Sequence, residues 1–352
     1  MYVVYIGSDK IRIVEASTSF GKVFVKSLFS QITPNDYLDN PTDKAFAELS
    51  NVIADGLTQI NGKGKTVRVV LENGTIPFTE KTIPSLSQDK TIKMVINDIF
   101  SDEKLIAQNV VDYIEIERFI QEEKIEKSDK LVTFLGKAPK KKEEMNEKTE
   151  EPDDKNVKVK KVRMSNIFFT YVAKDIIKHL EKFFKDLGYK LMSIDIYQNA
   201  MRKLIGQQIA LKKRNPNLED GVVLPDNMVI VEYKDDAITL FLFKDGKMGY
   251  TFRKTLMSSM SNHFQSERLY FIAELTQTIS EALQFFRSKN PGLEYDGVYI
   301  TGVLNNFDSW GGEVSAKITY DLKPLGLHPM FRNVDEMEYN EFSGALAGFI
   351  RK

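Results

Sequence analysis

The chain has 352 residues, 42% of them apolar, and a formal net charge of −1. That length exceeds what one small core needs and predicts two or more subdomains, while near-neutrality gives no general attraction to nucleic acid or an anionic membrane. The absence of cysteine excludes structural disulfides, thiolate zinc sites and a thiol nucleophile.

In chain order, Tyr2 to Ile6 reads as a buried strand and Gly7-Ser8-Asp9-Lys10 as a tight turn. Ile11 to Ala16 is a second strand, and Lys22 to Phe29 a third beyond Phe20-Gly21. Asn40-Pro41 opens a helix whose face is Phe46, Leu49, Ile53, Leu57 and Ile60, and Thr66 to Leu71 follows as a strand. From Ile76 the texture changes to an insert: a strand over Ile76 to Ile83, a helix marked by Ile92, Val95, Ile96 and Ile99, then strands at Val110 to Ile116 and Lys130 to Leu135. Residues 137–161 carry nine lysines and seven acids with almost no apolar residue, so a charged flexible loop is expected there. Val162 to Tyr171 resumes as a strand and leads into a helix with Ile176, Ile177, Leu180, Phe183, Phe184 and Leu187 on one face, ended by Gly188. A strand at Lys190 to Asp195, a helix around Ala200 to Leu211 and a polar connector from Lys212 to Pro225 complete the first half.

The second half then repeats the opening pattern. Met228 to Glu232 is apolar, Tyr233 to Asp236 polar, Ala237 to Phe243 apolar again, and Lys247 to Thr255 follows the turn Lys244-Asp245-Gly246. Two strand-turn-strand-turn-strand units predict two similar lobes facing each other across a cleft, with the first turn of each pointing into it. A long helix with Leu269, Ile272, Leu275, Ile279, Leu283 and Phe286 on one face, a strand from Val298 to Thr301 ending at Gly302, and a small-residue helix from Phe342 to Ile350 finish the chain.

Other motifs read as structure. Gly64-Lys65-Thr66 lacks the first glycine of a phosphate loop and enters a strand rather than a helix. His179, His263 and His328 lack metal-site spacing and read as surface or satisfied core residues. Asn73-Gly74-Thr75 reads as a turn, and Trp310 as a packing residue. The opening residues show no leader pattern and no segment reaches a membrane-spanning length free of charge, so a cytosolic location is expected.

With the paired turns in view, residues 5–15, Tyr5-Ile6-Gly7-Ser8-Asp9-Lys10-Ile11-Arg12-Ile13-Val14-Glu15, resemble the opening of the PilM family of type IV pilus assembly proteins, which belong with FtsA in the actin-like ATPase superfamily. Further blocks fall in the family's order: Val111-Asp112-Tyr113, Leu187-Gly188-Tyr189 with Ile194-Asp195, the helix Leu269 to Phe286 before Val298-Tyr299-Ile300-Thr301-Gly302, and Gly344-Ala345-Leu346-Ala347-Gly348. The resemblance implies an α/β actin-like (ribonuclease H-like) two-lobed fold. It divides the chain into subdomain 1A (1–75 and 166–221), an inserted 1C (76–165), a 2A (222–335) with 2B reduced at 254–268 or absent, and a terminal helix (336–352) returning to 1A.

The resemblance also implies a nucleotide site, where turn amides hold phosphates and an acid at each turn positions hydrated magnesium. The expected acid of the first turn is Tyr5 here. The second turn reads Glu232-Tyr233-Lys234-Asp235, with a longer carboxylate and lysine for glycine, and the expected double glycine is Gly302-Val303. These departures lead us to expect weakened or lost ATP binding, no magnesium ligand and no catalytic residue. Gly7, Ser8, Asp9, Lys10, Arg12, Glu232, Lys234, Asp235, Asp236, Thr239, Thr301 and Gly302 are the candidates for residual nucleotide contact. The expected partner, by resemblance, is the cytoplasmic N-terminal peptide of a PilN-like bitopic inner-membrane protein, bound between 1A and 1C with Ile76, Phe78, Ile83, Val162, Phe168 and Phe169 as groove candidates. The protein is then a cytoplasmic scaffold that reaches the membrane only through its partner, with self-association a further expectation. The alternative expectation is an active ATPase that binds Mg-ATP and polymerises.

Overall fold

The computed structural model describes residues 1–34, 37, 42–74, 76–100, 103–126, 157–215, 217–219, 222–234, 237–257 and 265–350. Its first sheet is built on β1 (Tyr2–Ile6), β2 (Lys10–Ser19) and β3 (Lys22–Ile32), which run antiparallel in turn, with β4 (Thr66–Leu71) parallel to β1 on its other side. All five residues of β1 are buried, as a central strand covered on both faces requires. Helix α1 (Asp43–Ile60) lies between β3 and β4 in sequence; Thr42 caps it by accepting from the Ala45 amide at 3.2 Å.

The inserted sheet has order β5-β7-β6, with β5 at Thr79–Pro84, β6 at Asn109–Glu126 and β7 at Val157–Ala173. Helices α2 (Gln88–Ile99) and α3 (Glu103–Gln108) precede β6. This hairpin corrects the expected boundaries. Residues 157–161, assigned to the charged loop from composition, pair as strand with residues 122–126, and the Lys161–Glu122 contact at 3.3 Å shows how a lysine-rich strand finds its register against an acidic one. The strand expected over Lys130 to Leu135 lies outside the described residues.

Helix α4 (Lys174–Asp186) then packs Ile176, Leu180 and Phe184 on the first sheet and stops at Gly188, whose φ of +77° suits the end of a helix. Strand β8 (Lys190–Ile196) becomes the sheet edge beside β4, and α5 (Tyr197–Arg214) leads to the second lobe. There β9 (Met228–Tyr233), β10 (Ala237–Lys244) and β11 (Lys247–Thr255) repeat the antiparallel trio, and β12 (Gly297–Gly302) lies parallel to β9 as β4 does to β1. After α6 (Gln265–Lys289), α7 (Phe307–Ile318) and β13 (Leu322–Pro324), strand β14 (Phe331–Arg332) already pairs with β3 of the first sheet. The chain thus returns to the first lobe before the expected boundary at 336. It ends in α8 (Glu336–Glu341), whose capping box joins Asp335 and Glu338, and α9 (Ser343–Ala347).

The layers follow from the burial pattern. One core joins residues of both sheets, among them Val3, Val14, Ile230 and Phe241, through α5 and α9. A second covers the far face of the first sheet with α1 and α4, and a third packs α6 and α7 on the second sheet. Trp310 sits wholly inside that third core and donates to the Asn305 carbonyl at 3.2 Å. Among the described residues no helix is long and apolar enough to cross a membrane.

Candidate functional site

Both lobes place the ends of two parallel strands at the cleft: Ile6 lies beside Leu71, and Gly302 beside Tyr233. The next residues therefore project past the sheets, where ligands bind in open α/β folds. They are Gly7 and Glu72 from the first lobe, Lys234 and Val303 from the second.

Lys234 enters this space as an internal cation. Its Nζ lies 3.0 Å from Glu72 Oε2 and 3.2 Å from Glu232 Oε2, and it donates to the Tyr5 hydroxyl at 2.6 Å. The ring of Tyr197 faces the ammonium at 4.5 Å and that of Tyr5 at 5.3 Å. Glu72 also accepts from the Ser8 amide at 3.2 Å and from the Tyr5 hydroxyl at 3.3 Å. Arg253, reaching across from β11, pairs with the other oxygen of Glu72 and donates to Ser8 Oγ at 3.0 Å. Beside this group Arg12 grips Asp9 with two bonds of 2.8 and 3.2 Å. The side chains of Lys234, Glu72 and Glu232 are at most 4% exposed, so these charges interact in a poorly solvated space.

The electrostatics follow from that burial. Desolvation works against the Glu72 carboxylate, but Lys234 and Arg253 outweigh it and hold its pKa below the ordinary value. Asp9 behaves alike, burial being outweighed by Arg12 and then Lys234. Glu232 goes the other way: desolvation dominates, with Glu72 adding repulsion to offset Lys234, so its pKa is raised. Lys234 is raised despite desolvation because Glu232, Glu72 and Asp9 surround it. Burial pushes the phenols of Tyr5 and Tyr197 well up, which keeps both neutral.

This donor set does not fit a hydrated magnesium ion. A hard dication needs free carboxylate oxygens, whereas both glutamates here already face an ammonium and Glu72 a guanidinium as well. Among the described residues no group of three or more such side chains is arranged to hold a metal ion.

The remaining predicted residues divide. Gly7 forms the turn, its amide donating to the Lys10 carbonyl at 3.1 Å and its carbonyl accepting from Thr33 Oγ1 at 2.7 Å. Lys10 points out towards Glu341 at 3.6 Å. Thr239 is buried in the sheet, and Thr301 Oγ1 donates to the Asn340 carbonyl at 3.3 Å. Gly302 has φ +102°, and a Cβ there would overlap the Tyr233 carbonyl oxygen and stand 2.9 Å from its carbon, so close sheet packing alone requires glycine. Asp235 and Asp236 lie outside the described residues. Glu72, Arg253 and Tyr197 are the residues sequence reasoning missed. An acid directly after the apolar run ending at Leu71 was a usable signal for Glu72.

The groove candidates also divide. A groove of about 610 Å³ runs between the outer edge of β8 and the first part of β6. Phe78 and Phe168 line it, stacked at 4.3 Å. Ile83 and Phe169 do not: alternation along β7 turns Ile167 and Phe169 to the opposite face, under Val95 of α2. Ile76 is buried in the core with α4, and Val162 sits half-buried opposite Gln121, beyond the groove.

No protein-family model matches the chain, and no curated protein matches it. Among solved structures, the PilM-PilN type IV pilus biogenesis complex aligns with a TM-score of 0.64 at 14% identity, over 98% of this chain and 96% of that one. The chain shares its two-lobed actin-like fold with that structure. Two others align more loosely. A Bacteroides thetaiotaomicron protein with an actin-like ATPase fold gives a TM-score of 0.47 at 12% identity, over 98% of this chain and 95% of that one. The cytoplasmic domain of EpsL, an inner-membrane component of the type II secretion system of Vibrio cholerae, gives 0.41 at 9%, over 98% and 94%.

Proposed function

We propose that this chain is a cytoplasmic actin-like scaffold of a type IV pilus assembly machine. It captures an extended cytoplasmic peptide of a PilN-like inner-membrane partner, and it reaches the membrane only through that partner. The observation that carries this reading is the groove between two sheet edges. Consecutive residues Leu191 to Ile196 of β8 line it together with Val110, Asp112, Tyr113 and Ile114 of β6. Consecutive rather than alternate residues expose a strand's edge, whose backbone groups can pair with an added strand while Phe78 and Phe168 receive its apolar side chains.

The nucleotide cleft supports a scaffold over an ATPase. Lys234 and Arg253 join the lobes through Glu72, supplying with side chains a tie that magnesium and phosphate would otherwise make. We read ATP binding as lost on this account.

Fluorescence anisotropy with a synthetic peptide of the partner's cytoplasmic N-terminus tests the groove. Truncating Phe78 and Phe168 to alanine together is expected to weaken capture by about a hundredfold. Because Phe168 is buried, Met192→Asp serves as the companion variant: Met192 lines the groove and is 50% exposed, so a carboxylate there blocks a peptide without opening the core. Unchanged affinity in both variants rejects the groove.

A further inference from the structure

The groove between β8 and β6 carries charge as well as apolar surface, and its cations and carboxylates differ in what holds them. Three of the charged side chains lining it are engaged by the protein itself. Lys203 donates to Asp195 at 2.5 Å, Asp195 also accepts from Asn199 at 2.7 Å, and Arg68 donates to the Gly348 carbonyl at 3.0 Å. The other two are carboxylates, Asp112 and Glu181, and among the described residues neither has a cationic partner.

Strand and helix geometry turn both towards the groove. Val110, Asp112 and Ile114 alternate onto one face of β6, opposite Val172, Thr170 and Phe168 of β7, and all six line it. Asp112 is thus the one charged group in an otherwise mostly apolar row, and its Oδ1 accepts from the Tyr113 amide at 2.8 Å, which steadies the carboxylate on the strand. On α4, Glu181 follows Ile177 by four positions, so the two share a helix face, and both line the groove. Lys178, one turn away on the same helix, pairs with Asp175 at 3.4 Å instead.

The groove therefore offers negative charge beside apolar surface. A wholly apolar segment would cover both carboxylates without compensation, and an acidic one would be repelled; a segment that brings a cation satisfies them. Taking the groove as the peptide site of the proposed function, we infer that it selects an extended peptide with a lysine or arginine among its apolar side chains, the cation being received by Asp112 and Glu181. Cytoplasmic segments that flank a membrane span are enriched in lysine and arginine, so the cytoplasmic segment of a bitopic partner is well placed to supply one.

Fluorescence anisotropy of the full chain with two labelled synthetic peptides tests this selection. One peptide is built of leucine and threonine around a single arginine, and its twin carries glutamate in that place. The chain is expected to hold the arginine peptide about tenfold more tightly than its twin. That gap narrows at about 1 M salt, where the screening length falls to about 3 Å. Asp112→Asn and Glu181→Gln, both at exposed positions, each weaken the arginine peptide about threefold and leave the glutamate peptide no weaker, which a loss of fold would not do. Asp112→Lys together with Glu181→Lys reverses the order of the two peptides. If both peptides bind equally well and Met192→Asp removes both, the groove is a peptide site without selection for a cation, and this proposal is overturned. If neither peptide binds, or Met192→Asp affects neither, the peptide groove itself falls and the selection with it.

Discussion

Replacing Lys234 with methionine is expected to lower the unfolding free energy by about 3–5 kcal/mol, the range for removing one partner of a buried ion pair. The ammonium pairs with both Glu72 and Glu232. Without it two carboxylates face each other in a space closed to water, and the raised pKa of Glu232 marks it as the one that takes up a proton. The loss should be recovered in large part when Glu232→Leu and Glu72→Gln accompany Lys234→Met, because a dry neutral cluster of similar volume replaces the charges. Arg253, about one quarter exposed, can then turn to solvent. Urea denaturation of the single and triple variants reads this directly. A single variant within about 1 kcal/mol of the parent would mean that the ammonium does not neutralise the cluster.

Gly302→Ala is expected to be as damaging, for a steric reason. A methyl group there would run into the Tyr233 carbonyl, whose oxygen also accepts from the Val303 amide at 3.0 Å, so the strands β9 and β12 cannot separate without breaking that bond. The φ of +102° adds strain that no L side chain relieves. Together these predict a loss of about 3 kcal/mol or more, or failure to accumulate as folded protein. Thermal unfolding of the variant checks it, and a nearly unchanged midpoint would show that the strand ends are looser than the structure has them.

The sequence made the repeated lobes legible because their central strands are buried on both faces and leave uninterrupted apolar runs, Tyr2 to Ile6 and Met228 to Val231. The long hairpin was less legible. Its outer part is held by charge pairs such as Lys161–Glu122, and lysine-rich composition looks the same in a paired strand as in a loop. At the cleft, Tyr5, Glu232 and Lys234 were picked out by departures from a pattern, but what Lys234 does there depends on Glu72 and Arg253. Those lie 162 and 19 positions away in the chain, and local spacing carries no information about either. Ile83 of β5 and Phe169 of β7 are groove candidates by position in the sequence; strand alternation sends both to the other face, with Val95 and Ile167. Sequence alone allows His328 a surface or a satisfied core position, and its unpartnered Nε2 is visible only once its neighbours are in place.

In the function we propose, an ammonium tethered to the protein takes the place of a metal-bound nucleotide in joining the two lobes. Isothermal titration of the full chain with ATP and magnesium addresses it most directly. No saturable heat is expected up to about 1 mM ligand, weaker than about −4 kcal/mol of binding free energy. Magnesium-dependent binding with a micromolar dissociation constant would contradict it.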